Sequence, residues 1–149
     1  MSSTPETTAL QQRHLRLGWA SLLVFVLLGG ALESMHGFKV DWYLAVGNET
    51  QRLLWRLAHA HGTFLSLVHI GFAVTLSHLA KAGANGEQVV PPKLASACFT
   101  AALIALPGGF LLGAFGGHGG DPGIGIVLVP FGLVMLVIAI TAVLRRLPR

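Results

Sequence analysis

Four stretches of the chain, 17–32, 57–80, 94–120 and 122–144, contain no Asp, Glu, Lys or Arg. A helix rises about 1.5 Å per residue, so crossing a hydrocarbon core of about 30 Å takes roughly 20 apolar residues. Three of the stretches reach that length outright, and the first does so if its helix runs on to Met35. The pattern predicts an all-α integral membrane protein, a bundle of four transmembrane helices over approximately 17–35, 49–79, 94–115 and 124–144. These form a single domain spanning 1–149, whose first residues, 1–12, are a flexible polar segment rich in Ser and Thr.

Composition closes off the alternatives. Of the 149 residues, 53% are hydrophobic and 11% charged, against about 25% charged in a typical globular domain. That excludes a soluble enzyme. The net charge of +4 does not indicate nucleic acid, because the basic residues form no stripe. They sit at the ends of the apolar runs, where Lys and Arg anchor helices at lipid headgroups. A single cysteine, Cys98, excludes a disulfide framework within the monomer and a thiolate-rich metal site. No phosphate-binding glycine loop and no H-E-x-x-H pair is present.

Local signals divide the chain. Gly29 and Ala31 have the small size of a signal-peptide cleavage site, but Glu33 and His36 fit better as the end of a retained helix. Trp42 and Tyr43 read as interfacial anchors in the first loop. Asn48 and Gln51 have the spacing of a capping box opening the second helix. Pro107-Gly108-Gly109 interrupts the third span, and Pro130 predicts a kink in the fourth. Arg13, Arg16, Lys81, Lys93 and the three C-terminal arginines fall on one side, and Lys39, Arg52 and Arg56 on the other. Lys and Arg concentrate on the cytoplasmic side, so both termini are expected there, in a bacterial inner membrane.

The chain has seven histidines. Ionisable residues within membrane spans are costly and point to function. The topology brings Glu33 and His36, then His59 and His61, then His118 with Asp121, to the outer face. Three separate segments thus carry His, Glu or Asp to one side. His69 is expected near mid-membrane, as a proton or packing site. His14 and His78 read as surface residues near the headgroups. At about 100° per residue, Gly62, Thr63, Ser66, His69, Ala73 and Ser77 share a face with His59, while His61 points about 160° away. Gly18, Ser21, Gly29, Glu33 and His36 form a similar stripe on the first helix. Each histidine alone has an ordinary explanation, a ring nitrogen in water or on a carbonyl. Their shared sidedness is what favours a site. Neutral imidazole suits haem iron, copper and zinc, and a nearby carboxylate orients it or completes the set.

Ala58-His59-Ala60-His61-Gly62 resembles a motif of small four-helix bacterial membrane proteins, themselves similar to parts of the haem-copper oxidase and nitric oxide reductase catalytic subunit. The resemblance covers roughly 56–78. In that family an H-x-H pair on one helix ligates two haems on its opposite sides, which implies haem ligation by His59 and His61. The oxidases have many more helices and a further set of copper-ligating histidines, which this chain lacks. Oxygen or nitric oxide reduction by this chain alone is therefore not implied.

The expected function is binding of haem b or a transition metal, copper foremost. His59 is the first ligand, with His118, His36 or His61 as partner and Glu33 nearby. The role would be electron transfer, sensing, or metal delivery to a larger respiratory-type complex. Two other readings are a non-catalytic accessory subunit and a proton-coupled transporter using His69 and Glu33 as a homo-oligomer.

Overall fold

The computed structural model describes residues 5–83, 93–115 and 120–147. Among them five α-helices follow one another: α1 Pro5–Gly37, α2 Asp41–Leu44, α3 Glu49–Gly83, α4 Lys93–Ala114 and α5 Leu128–Leu144. Single 3₁₀ turns, Val46–Asn48 and Ile124–Val127, lead into α3 and α5. With those lead-ins, four helices among the described residues are long and apolar enough to cross a membrane.

α1 begins well before the apolar run, and the physical reason is packing. Pro5 needs no hydrogen-bond partner for a missing N–H in the first turn, and Glu6 complements the positive end of the helix dipole. Thr7 and His14 are buried, and Leu10 packs against the cluster of Phe72, Leu76, Ala95 and Ala139. Residues 5–12, expected as part of a flexible tail, are therefore helix. At 33 residues α1 is about 50 Å long, well beyond a hydrocarbon core.

The long helices pack in sequence, α1 on α3, α3 on α4 and α4 on α5. The stripe of small residues on α3 is the α1–α3 seam. A Cβ on Gly62 would lie 2.3 Å from the Phe25 ring, and one on Gly18 would lie 2.9 Å from the Ser66 carbonyl oxygen. Lipid tails give helices no hydrophobic drive to associate, so close backbone approach of this kind supplies the packing energy. The outer faces of α1 and α5 leave Trp19, Leu23, Leu27, Phe131, Val134 and Val137 exposed, an apolar surface of the kind that suits contact with lipid.

The two ends of the bundle differ. At one, Lys93 pairs with Glu6 at 2.5 Å; this is the Glu6 end. At the other, Tyr43 is buried and stacks on Trp55, with ring centroids 6.2 Å apart. One Arg52 nitrogen, Nη1, donates to the carbonyls of Tyr43 and Ala45 at 2.6 and 2.9 Å. This loop is folded onto α3.

Three local expectations change. The Asn48 amide donates to the Trp42 carbonyl and that of Gln51 to the Ala114 carbonyl, so the pair ties loop and helix ends together instead of forming a capping box. α4 runs uninterrupted through the buried Pro107. Pro130 falls in the first turn of α5, where its missing N–H forfeits no intrahelical bond.

Candidate functional site

His59 leaves α3 toward α1. Its Nδ1 lies 2.7 Å from the Phe25 carbonyl oxygen. A carbonyl only accepts, so Nδ1 carries the proton and Nε2 keeps its lone pair. The ring occupies the space above Gly29, where a Cβ would sit 2.3 Å from its Cε1. Beside it lies a groove of about 530 Å³, lined by His59, Gly29, Gly30, Glu33 and Arg56 among others. A Cβ on Gly30 would meet nothing within 4 Å, so that stretch of α1 presents bare backbone to the groove.

His61 leaves α3 on another side, toward α4. Its Nδ1 donates to the Leu57 carbonyl at 2.9 Å, and its ring lies 4.9 Å from that of Phe110. It lines a separate, mainly apolar groove of about 410 Å³ with Leu106, Val129 and Leu133. The two rings of the H-x-H pair thus face different neighbours, each with its Nδ1 proton on a backbone carbonyl.

The other expected site residues divide. Glu33 is exposed but shares the His59 groove, whereas His36 is exposed at the end of α1. His118 lies outside the described residues. Among the described residues no group of three or more His, Cys, Asp or Glu side chains is placed to hold a metal ion.

A second polar centre lies toward the Glu6 end and corrects the reading of His14 as a surface residue. His14 and His69 are both fully buried. Their Nδ1 atoms are 2.8 Å apart; His14 Nε2 lies 2.8 Å from Ser96 Oγ, and His69 Nε2 lies 3.2 Å from the Phe99 carbonyl oxygen. The cluster ties α1, α3 and α4 together. His69 is level with Phe99, about 9 Å into the 22-residue α4 from Lys93 at 1.5 Å per residue, so along α4 it lies on the Glu6 side of the middle but closer to the middle than to the end. His78 is exposed.

The chain of bonds has one direction. The Phe99 carbonyl accepts, so His69 Nε2 bears a proton and a neutral His69 has a lone pair on Nδ1. His14 Nδ1 must then donate to it, which leaves the His14 Nε2 lone pair to accept from the Ser96 hydroxyl. Every ring nitrogen is satisfied with both rings neutral, which suits burial without a counter-charge. One turn further along the seam the hydroxyls of Ser66 and Ser21 are 2.7 Å apart. Among the described residues the Thr63 hydroxyl is a buried polar atom without a hydrogen-bond partner.

No protein-family model matches the sequence, and no curated protein or solved structure matches it either.

Proposed function

We propose that this is a small bacterial inner-membrane protein that binds haem b through His59, in an electron-transfer or sensing role. The observation that carries the reading is the fixed His59 ring. With the Nδ1 proton on the Phe25 carbonyl, Nε2 offers a lone pair, and a carbonyl partner of this kind both orients a ligating imidazole and raises its basicity.

The groove beside His59 fits the chemistry of a flat, dianionic macrocycle. Bare backbone at Gly30 gives a flat floor, Val26 and Leu53 give apolar walls, and Arg56 brings a cation for carboxylate groups. Haem, when bound, supplies one-electron chemistry. The chain's own residues hold and orient it, and their apolar walls exclude water. A bare metal ion needs several converging donors, so the planar cofactor is the better match to one well-set histidine. His61 lines its own, mainly apolar groove on the other side of α3 and is not part of this site.

The expected result is a haem absorbance band in protein purified gently from membranes or reconstituted with haem. His59→Ala should remove at least about nine-tenths of that band, equivalent to about 1.4 kcal/mol of binding or more. His78→Ala should leave it unchanged. Wild-type protein that takes up no haem under either condition sinks the reading.

The proposed orientation places both chain ends in the cytoplasm, from the excess of Lys and Arg at the Glu6 end. Reporter fusions at Gly86 and Gly119 should then report cytoplasm and periplasm respectively. The reverse pair of results would put the His59 groove on the cytoplasmic face.

A further inference from the structure

We propose that the buried His14–His69 pair is a proton-binding site, loaded from the Glu6 end of the bundle through the Ser96 hydroxyl. The inference is independent of the haem reading and uses no residue of the His59 groove.

The bond pattern can accept one proton with little rearrangement. In the neutral pair the single ring nitrogen that a proton can reach without breaking an imidazole–imidazole or imidazole–carbonyl bond is His14 Nε2, which accepts from Ser96 Oγ at 2.8 Å. If Nε2 is protonated it becomes a donor, and the Ser96 hydroxyl turns from donor to acceptor. The 2.8 Å bond between the two Nδ1 atoms and the His69 bond to Phe99 keep their direction. A hydronium ion in the groove gives up the proton and leaves as water, and the positive charge rests on His14, hydrogen-bonded to His69. The Ser96 hydroxyl hydrogen, released from the ring, turns to the groove that Ser96 lines.

Access is one-sided. Ser96 lines a groove of about 410 Å³ together with Glu6, Arg13 and Lys93. On the far side α1 and α3 close on each other one turn beyond the pair, where a Cβ on Gly18 would lie 2.6 Å from the Ile70 side chain and 2.9 Å from the Ser66 carbonyl oxygen. The next polar group along the seam, Ser66, bonds to Ser21 and to the Gly62 carbonyl, not to the pair. The charged groups facing the pair are thus Glu6 and Arg13 from α1 and Lys93 from α4. The residues of α5 packed on the surrounding cluster, Leu136, Ala139 and Val143, are apolar. Glu6 already pairs with Lys93 at the rim, which leaves the path to Ser96 between opposite charges.

The test uses the full-length protein in liposomes of known orientation, with imidazole and imidazolium infrared bands followed after a pH jump from about 8 to about 3, across the range where histidine charges. Acid on the Glu6 side alone should produce one imidazolium per protein beyond the signal of the exposed histidines, and His14→Leu combined with His69→Leu should abolish that increment. Acid on the Tyr43 side alone should not produce it. Ser96→Ala should slow loading about tenfold or more, since a positioned proton donor contributes at least that much to transfer, and Ser96→Thr should restore the rate. No increment from either side, equal loading from both sides, or an unchanged rate in Ser96→Ala would each overturn the proposal. The sidedness measurement needs only the wild-type protein, so a misfolded variant does not remove the test.

Discussion

His14→Ala is expected to lower stability by about 3–5 kcal/mol, one of the largest losses from any single substitution in this molecule. Two costs add. Removing the ring leaves the His69 Nδ1 and the Ser96 hydroxyl, to which it bonds at 2.8 Å each, without their partner, and both residues are buried. Each buried polar group so stranded costs about 1–3 kcal/mol. The missing ring also opens a cavity beside Phe72 that rigid helices refill only in part. Unfolding in mixed micelles with increasing denaturing detergent measures the effect. His78→Ala, at an exposed position, should change nothing beyond about 0.5 kcal/mol. Replacing both His14 and His69 with Leu should recover much of the loss, because removing both partners of a buried bond strands neither. A His14→Ala protein as stable as the wild type would mean that the pair does not hold the three helices together.

The sequence alone points to a surface role for His14, since Arg13 and Arg16 flank it and the apolar run begins only at Leu17. A signal was nonetheless present. His14, Gly18, Ser21, Phe25 and Gly29 follow one another at steps of four and three residues, so the stripe that meets α3 continues backward through His14. What hid it is that charge marks where a helix leaves lipid, not where it stops packing. The four long helices were legible because the hydrocarbon core sets a length that few other folds demand. That His59 and His61 leave α3 on different sides followed from helical phase, which depends on nothing beyond the helix itself; which neighbour each meets did not. Ser96 was not legible, because α4 carries Ser96 and Thr100 one turn apart and only the packing angle selects which of them meets His14. The expected convergence of Glu33 and His36 with His59 rested on shared depth. Depth leaves rotation about the helix axis free, and α1 turns His36 outward while keeping Glu33 on the groove.

Gly29 and Gly30 are neighbours with opposite surroundings, and substitutions there should separate the seat of His59 from the space beside it. A Cβ on Gly29 would lie 2.3, 2.7 and 2.9 Å from three atoms of the His59 ring. The ring cannot withdraw without breaking its bond to the Phe25 carbonyl, so Gly29→Ala should cost about 1–3 kcal/mol in overpacking. The gain of about 1 kcal/mol in helix propensity offsets part of that. Haem retention should fall about tenfold or more, because the imidazole no longer points its Nε2 the same way. Gly30→Leu is expected to do the reverse. Nothing lies within 4 Å of its Cβ position, so stability should hold or rise by up to about 1 kcal/mol. The added side chain would nonetheless fill the flat floor of the groove and expel the macrocycle. The readouts are the haem band and the unfolding midpoint of each variant. A Gly30→Leu protein that keeps the full band would show that no haem lies across Gly30, and the proposed site would then fail even if His59→Ala loses haem. A stable Gly29→Ala protein with an undiminished band would show instead that the ring finds its ligating direction without this seat. The fixed Nδ1 bond would then lose its place as the feature that selects the ligand.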